Sequence, residues 1–183
     1  GSKLVELLTK SGGWEIHGID VREPARPNLY KRFVRGSVTS SIAMKNLFDR
    51  ARPDVAVHLA FVVTSTHDRE LETSVALDGT RHFLEGCERN ATPKAVLLSS
   101  VAAYGAHDDN DVPLTEASPI RGVSGYGYSR LKAEADRMAQ MYLEVHPECE
   151  FAILRPCLFA GPGTDNNFFD VLKFAVVPQV RDR

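Results

Sequence analysis

The sequence predicts an α/β fold, a doubly wound parallel sheet with helices on its faces. Three observations carry that reading. Short hydrophobic runs alternate along the chain with segments of helical period, the order in which βαβ units are written. Two of those runs, residues 54–60 and 95–100, are apolar almost without a break, as strands buried on both faces of a parallel sheet must be. The second run ends in Ser99-Ser100, and the carboxyl ends of strands are where ligands gather in open α/β sheets.

Taken in order, residues 2–10 place Leu4, Val5, Leu7 and Leu8 at helical spacing, with Ser2 as cap and Gly12-Gly13 as stop. Residues 15–19 read as a short strand ending at Asp20, followed by a proline-bearing loop over 22–28. Phe33-Val34 reads as the next strand, with Gly36-Ser37-Val38 as its exit. A helix over 40–50 turns Ile42, Leu47 and Phe48 inward, and Pro53 closes the connection. His58 in strand 54–60 reads as a satisfied core histidine. A loop over 62–69 precedes a long helix, 70–90, with Leu71, Val75, Leu77, Phe83, Leu84 and Cys87 as its apolar residues. After strand 95–100, residues 105–125 form a long loop rich in Asp, Pro, Gly and Ser; loops of this length are often functional. The helix that opens at Tyr126 carries an apolar stripe of Leu131, Ala135, Met138, Tyr142 and Val145. Residues 151–154 are the last strand, 161–163 a turn, and 166–177 begin a further apolar helix.

The composition narrows the function classes. With 43% hydrophobic and 25% charged residues over 183 positions, the chain has the balance of an ordinary soluble domain with a sizeable core. A formal charge of −2 with no basic run argues against nucleic acid as a partner. Cys87, Cys149 and Cys157 share no metal-ligand spacing, so no metal site is predicted and the thiols read as reduced. The longest apolar run, around 95–103, is too short to cross a bilayer, and no charged-then-apolar leader opens the chain; a cytoplasmic location is the expectation.

Chemistry concentrates in Tyr126-Gly127-Tyr128-Ser129-Arg130-Leu131-Lys132. Tyr128 and Lys132 stand one helical turn apart, so both side chains leave on the same side, at the flank of the apolar stripe. A phenol with a pKa near 10 is a poor acid or base at neutral pH. A neighbouring ammonium favours the phenolate, so Lys132 is expected to bring the Tyr128 proton into play. The alternative for the pair is a half-buried helix tyrosine and a solvated lysine.

Further strings accompany this one: Ser99-Ser100-x-x-x-Tyr104-Gly105, His58-Leu59-Ala60, Asp78-Gly79-Thr80, and Arg155-Pro156 followed by Gly161-Pro162-Gly163. In their order and spacing they resemble the extended short-chain dehydrogenase/reductase family, the NAD-dependent epimerase/dehydratase group. The resemblance implies a Rossmann-like sheet. It divides the chain into an NAD-binding domain over 1–163, without its first strand, and the start of a substrate-binding region over 164–183. Gly1 matches the last glycine of the family's phosphate-binding loop; the first strand and the other two glycines are not in this sequence.

The same resemblance assigns roles. Asp20 would accept hydrogen bonds from the adenosine ribose and repel a 2′-phosphate, favouring NAD over NADP, although Arg22 stands close enough to accommodate that phosphate. Ser37 and Val38 would meet the adenine; the family usually has aspartate at position 37, a stronger acceptor than a serine hydroxyl. Leu59 and Ala60 would lie along the cofactor. Phe61 replaces a small residue there and would narrow the cleft, and Pro156 would sit beside the nicotinamide. Ala76 stands where asparagine is usual, and Glu116 belongs to a structural pattern. Ser100, Tyr128 and Lys132 would form the catalytic trio: Tyr128 moves the proton, Ser100 orients the reacting oxygen, and Lys132 holds the ribose.

The implied activity is hydride transfer at a secondary alcohol or ketone, with a nucleotide sugar as the small-molecule substrate and a homodimer as the assembly. A 4,6-dehydratase is disfavoured, because that chemistry in the family uses an Asp-Glu pair where Val101-Ala102 stand. The competing class is a non-catalytic dinucleotide-binding sensor or scaffold, motivated by Ser37, Ala76 and the missing glycines. A Ser-His-Asp hydrolase finds no Gly-x-Ser-x-Gly elbow.

Overall fold

The computed structural model describes residues 1–63 and 66–159. The elements are α1 (Ser2–Ser11), β1 (His17–Asp20), β2 (Arg32–Arg35), α2 (Ser41–Ala51), β3 (Val55–His58), α3 (Arg69–Thr73), α4 (Gly79–Arg89), β4 (Lys94–Leu98), α5 (Gly127–Val145) and β5 (Glu150–Leu154). Every strand pair is parallel: β1 with β2, β3 with β4, and β4 with β5. The predicted α/β architecture is therefore present. The sheet stands in two parts, β1-β2 and β3-β4-β5, so β1 and β3 each have one edge without a strand among the described residues.

The core forms where α2 and α4 meet the sheet. Met44 and Phe48 of α2 pack with Phe83, Leu84 and Cys87 of α4 and with Ala56 and Ala95 from β3 and β4. Phe83 makes edge contacts with Phe48 at 6.0 Å and with Phe151 at 6.4 Å between ring centroids. Burying each such ring contributes about 2–3 kcal/mol. A Cβ on Gly86 would lie 2.6 Å from the Phe48 ring, so only glycine lets the helices approach this closely.

Several sequence expectations shift. Ile42 is 73% exposed and Met44 is buried in its place. The inward positions of α2 are 44, 47 and 48, and Ile42 lies about 200° from Met44 round the helix. Gly1, not Ser2, occupies the cap position of α1, and no side chain caps it. Strand β1 begins at His17 rather than 15, with Lys31 still donating to the Ile16 carbonyl at 2.8 Å. The long helix over 70–90 is broken by a π-turn, Ser74–Asp78, between α3 and α4. A wider turn changes the helical phase, and Leu71 ahead of it is 45% exposed. On α5 the stripe holds through buried Leu131 and Ala135 and through Met138 and Tyr142, which pack partly buried against the core, but Val145 in its last turn is 71% exposed. The turn at 161–163, the helix at 166–177 and the region 164–183 lie outside the described residues.

Candidate active site

The carboxyl end of β4 and the first turn of α5 build the site. Ser99 extends the sheet, its amide donating to the Leu154 carbonyl at 2.8 Å. Ser100 then leaves it, and its hydroxyl accepts from the Ala102 amide at 3.2 Å, capping a short 3-10 turn over Val101–Ala103. Buried Ser129 joins this turn to α5: its hydroxyl donates to the Ala102 carbonyl at 2.6 Å and accepts from the Val123 amide at 3.0 Å. The tie brings strand end and helix start together, so that the Ser100 hydroxyl acts on the Tyr128 phenol and draws its pKa down.

Lys132 stands next to this pair and is 5% exposed, which removes the solvated-lysine alternative. Its Nζ donates to the Leu98 carbonyl at 2.8 Å and lies 3.8 Å from the centroid of the Phe61 ring. Phe61 in turn meets Tyr128 edge to face, with centroids 5.3 Å apart and planes at 81°. Burial lowers the Lys132 pKa to about 8, against the opposing pull of Asp136.

The expected tuning of the tyrosine is not what the geometry produces. The Tyr128 phenol is held above its ordinary value by burial, with the Ser100 hydroxyl acting against it and Tyr126 in the same sense as burial. The Lys132 ammonium addresses a carbonyl and an aromatic face and lies 5.9 Å from the centre of the Tyr128 ring. Tyr128 therefore rests as a neutral phenol, a proton donor, in this state.

Sequence reading missed Asp136 and underused Ser99 and Arg155. Asp136 is fully buried, accepts from the Ser99 hydroxyl at 2.6 Å and from Gln140 at 2.7 Å, and takes both arms of the Arg155 guanidinium at 2.8 Å each. Burial pushes its carboxyl up, but hydrogen bonds from Arg155, Ser99 and Gln140 outweigh that and hold it below the ordinary value. Ser99 thus faces the α5 helix rather than a ligand. The available signal was spacing: Asp136 follows Tyr128 and Lys132 at successive steps of four.

Tyr128 opens on a cleft of about 740 Å³, whose walls include Phe61, Val62, Tyr126 and Arg130. Among the described residues no group of three or more His, Cys, Asp or Glu side chains could hold a metal ion, and no helix is long and apolar enough to cross a membrane.

Comparison with known proteins settles the kinship. The profile of the NAD dependent epimerase/dehydratase family matches residues 1–180. The chain belongs to this family. A dTDP-D-glucose 4,6-dehydratase of Dictyostelium discoideum is 27% identical over 124 residues, covering 61% of this chain and 28% of that protein. Protein y4nL of Sinorhizobium fredii, itself uncharacterized, is 25% identical over 172 residues, 91% of this chain and 47% of its own length. Among solved structures, Bordetella bronchiseptica WbmH in complex with NAD+ aligns with a TM-score of 0.76 at 24% identity, over 94% of this chain and 58% of that one. The UDP-Glc/GlcNAc 4-epimerase of Campylobacter jejuni aligns with a TM-score of 0.70 at 20% identity, over 84% and 48%. The chain thus spans about half the length, or less, of most of these relatives.

In the epimerase/dehydratase frame, the remaining predicted cofactor residues fall along one side of the sheet, at strand ends. Asp20 is exposed at the end of β1, with one carboxylate oxygen accepting from the Arg22 amide at 2.9 Å. The Ser37 hydroxyl lies 2.8 Å from that of Thr39 and accepts from the Thr39 amide at 3.1 Å, so it organises its own turn. Val38 is buried, and its carbonyl accepts from His82 at 3.0 Å. Leu59, Ala60 and Phe61 leave the end of β3, half-buried. The Pro156 carbonyl accepts from the Val101 amide at 3.1 Å, and Gly1 is exposed ahead of α1.

The Asp78-Gly79-Thr80 string serves packing. A Cβ on Gly79 would lie 2.7 Å from Val38. Thr80 donates to the Ala76 carbonyl at 2.6 Å and meets His58 Nε2 at 3.3 Å. With that hydroxyl proton already given to Ala76, His58 donates through Nε2. Burial lowers the His58 pKa to about 4, with Lys132 adding to it, so the ring is the neutral core histidine the sequence suggested.

Proposed function

We propose that the protein carrying this chain is an NAD-dependent oxidoreductase or epimerase of the extended short-chain type, acting at a secondary alcohol or ketone of a nucleotide sugar. The observation that carries the proposal is Tyr128 lining a cleft with buried Lys132 one turn along α5 and the Ser100 hydroxyl acting on its phenol. Membership of the epimerase/dehydratase family and the nucleotide-sugar enzymes among its relatives support the cofactor and substrate class.

The residues present fit a dinucleotide. Lys132 has a further N–H beyond the one given to Leu98, Asp20 presents a carboxylate at a strand end, and Leu59, Ala60 and Pro156 offer a path between them. Asp20 favours NAD over NADP. When bound, NAD supplies the acceptor or donor of hydride. Tyr128, protonated at rest, gives its proton to a ketone oxygen or recovers one from the alcohol. Ser100 bonds the same oxygen and keeps it in line with the phenol, and Lys132 secures a ribose hydroxyl. Val101 and Ala102 bring no ionisable group next to Ser100, which favours epimerisation or simple redox over loss of water.

The test supplies the intact protein with NAD and a panel of UDP- and dTDP-sugars, following reduced-nicotinamide absorbance and separating the products. Conversion of one sugar that depends on Tyr128 supports the proposal. Tight NAD binding with no turnover of any sugar or simple alcohol would overturn it in favour of a dinucleotide-binding sensor.

A further inference from the structure

Among the described residues no carboxylate forms an ion pair with the buried Lys132 ammonium. It carries three N–H groups. One is spent on the Leu98 carbonyl at 2.8 Å, and the face of Phe61, 3.8 Å from Nζ, stands over another. Both oxygens of Asp136, one turn along α5, are engaged by Arg155, Ser99 and Gln140. The negative face of an aromatic ring is the remaining way to stabilise a desolvated cation, and an aliphatic side chain of similar bulk lacks it. Phe61 is itself fixed by its edge-to-face contact with Tyr128.

We infer that Phe61 is a positioning residue: its ring face holds the Lys132 ammonium and fixes the direction of the one N–H left for a ligand hydroxyl. The assignment of that ligand to the cofactor ribose rests on the function proposed above. The other titratable groups around Lys132 are accounted for. Tyr128 and Asp136 share its helix, and His58 faces it from β3 as a neutral ring. Asp78 of the π-turn is bonded to Ser74 and Arg81. Burial, opposed by Asp136, leaves the Lys132 pKa at about 8, so loss of the ring face should lower it further.

The experiment compares Phe61→Leu and Phe61→Tyr in the intact protein. Its first readout is the pH dependence of Lys132 acylation by acetic anhydride, resolved by peptide mass spectrometry, which needs no catalysis. Phe61→Leu should shift the acid dissociation of Lys132 about threefold toward the neutral amine, and Phe61→Tyr should leave it in place. The second readout is kinetic: KM for NAD should rise several-fold in the leucine variant and be restored in the tyrosine variant, with kcat less affected. An unchanged or raised Lys132 midpoint in Phe61→Leu, or equal shifts in both variants, overturns the inference even if NAD is turned over. The predicted midpoint shifts in a protein that binds no NAD would uphold Phe61's hold on Lys132 while refuting the enzymatic reading.

Discussion

Arg155, at the end of β5, grips Asp136, in the middle of α5, through two hydrogen bonds of 2.8 Å each. The pair pins α5 to the sheet, and both partners are shielded, at 13% and 0% side-chain exposure. Removing one partner leaves the other charge buried and alone. Asp136→Ala should lower stability by about 3–5 kcal/mol in urea titration, whereas the double change Asp136→Leu with Arg155→Met should recover much of the loss. Because the Asp136 carboxyl is held below its ordinary value, its contribution is complete above the ordinary carboxylate range and is lost as pH falls through its lowered one. The wild-type protein should therefore lose stability more steeply in acid than the double variant.

Tyr128→Phe removes the proton donor but keeps the ring that packs against Phe61. Turnover should fall by about two to four orders of magnitude, with NAD affinity within about twofold of the parent. Steady-state kinetics and a binding titration on one preparation decide it; near-parental turnover would remove Tyr128 from the mechanism.

Ser100→Ala takes away the hydroxyl that opposes the effect of burial on the phenol. The Tyr128 pKa should rise further, moving the alkaline limb of the kcat/KM profile upward, and kcat should drop by about ten- to a hundredfold. A lower kcat with an unmoved limb would separate Ser100 from Tyr128.

Lys132 is held at about 8, below the ordinary lysine value of 10.5, so the unfolded chain binds more protons in that interval and stability rises with pH between the two values. The charged form therefore opposes folding at neutral pH, by on the order of 3 kcal/mol at most. Lys132→Met should raise the melting temperature at pH 7, flatten its alkaline dependence, and weaken NAD binding. Thermal scans across pH together with a binding assay check all three.

The fold was legible in the sequence because period and order are local properties. Residues 54–60 and 95–100 announced parallel strands, though not their burial on both faces, since Val57 of β3 is 38% exposed, and the spacing of Tyr128 and Lys132 placed both on one face of α5. What was not legible depended on three-dimensional placement. The phase of α2, which buries Met44 instead of Ile42, is set by the sheet beneath it. The π-turn that exposes Leu71 has no local signature. The direction of the Lys132 ammonium depends on the Leu98 carbonyl, distant in sequence, and on a ring, Phe61, that the family pattern would make small. The Asp136–Arg155 pair was hidden for the same reason, since its partners sit on different elements.

The unpaired edges of β1 and β3 bear on how the molecule should be handled. Each presents a row of backbone amides and carbonyls ready to recruit a foreign strand, so a recombinant preparation restricted to these 183 residues is at risk of self-association at the concentrations used for biophysics. Light scattering on each preparation is therefore the quality check to run before every assay described above.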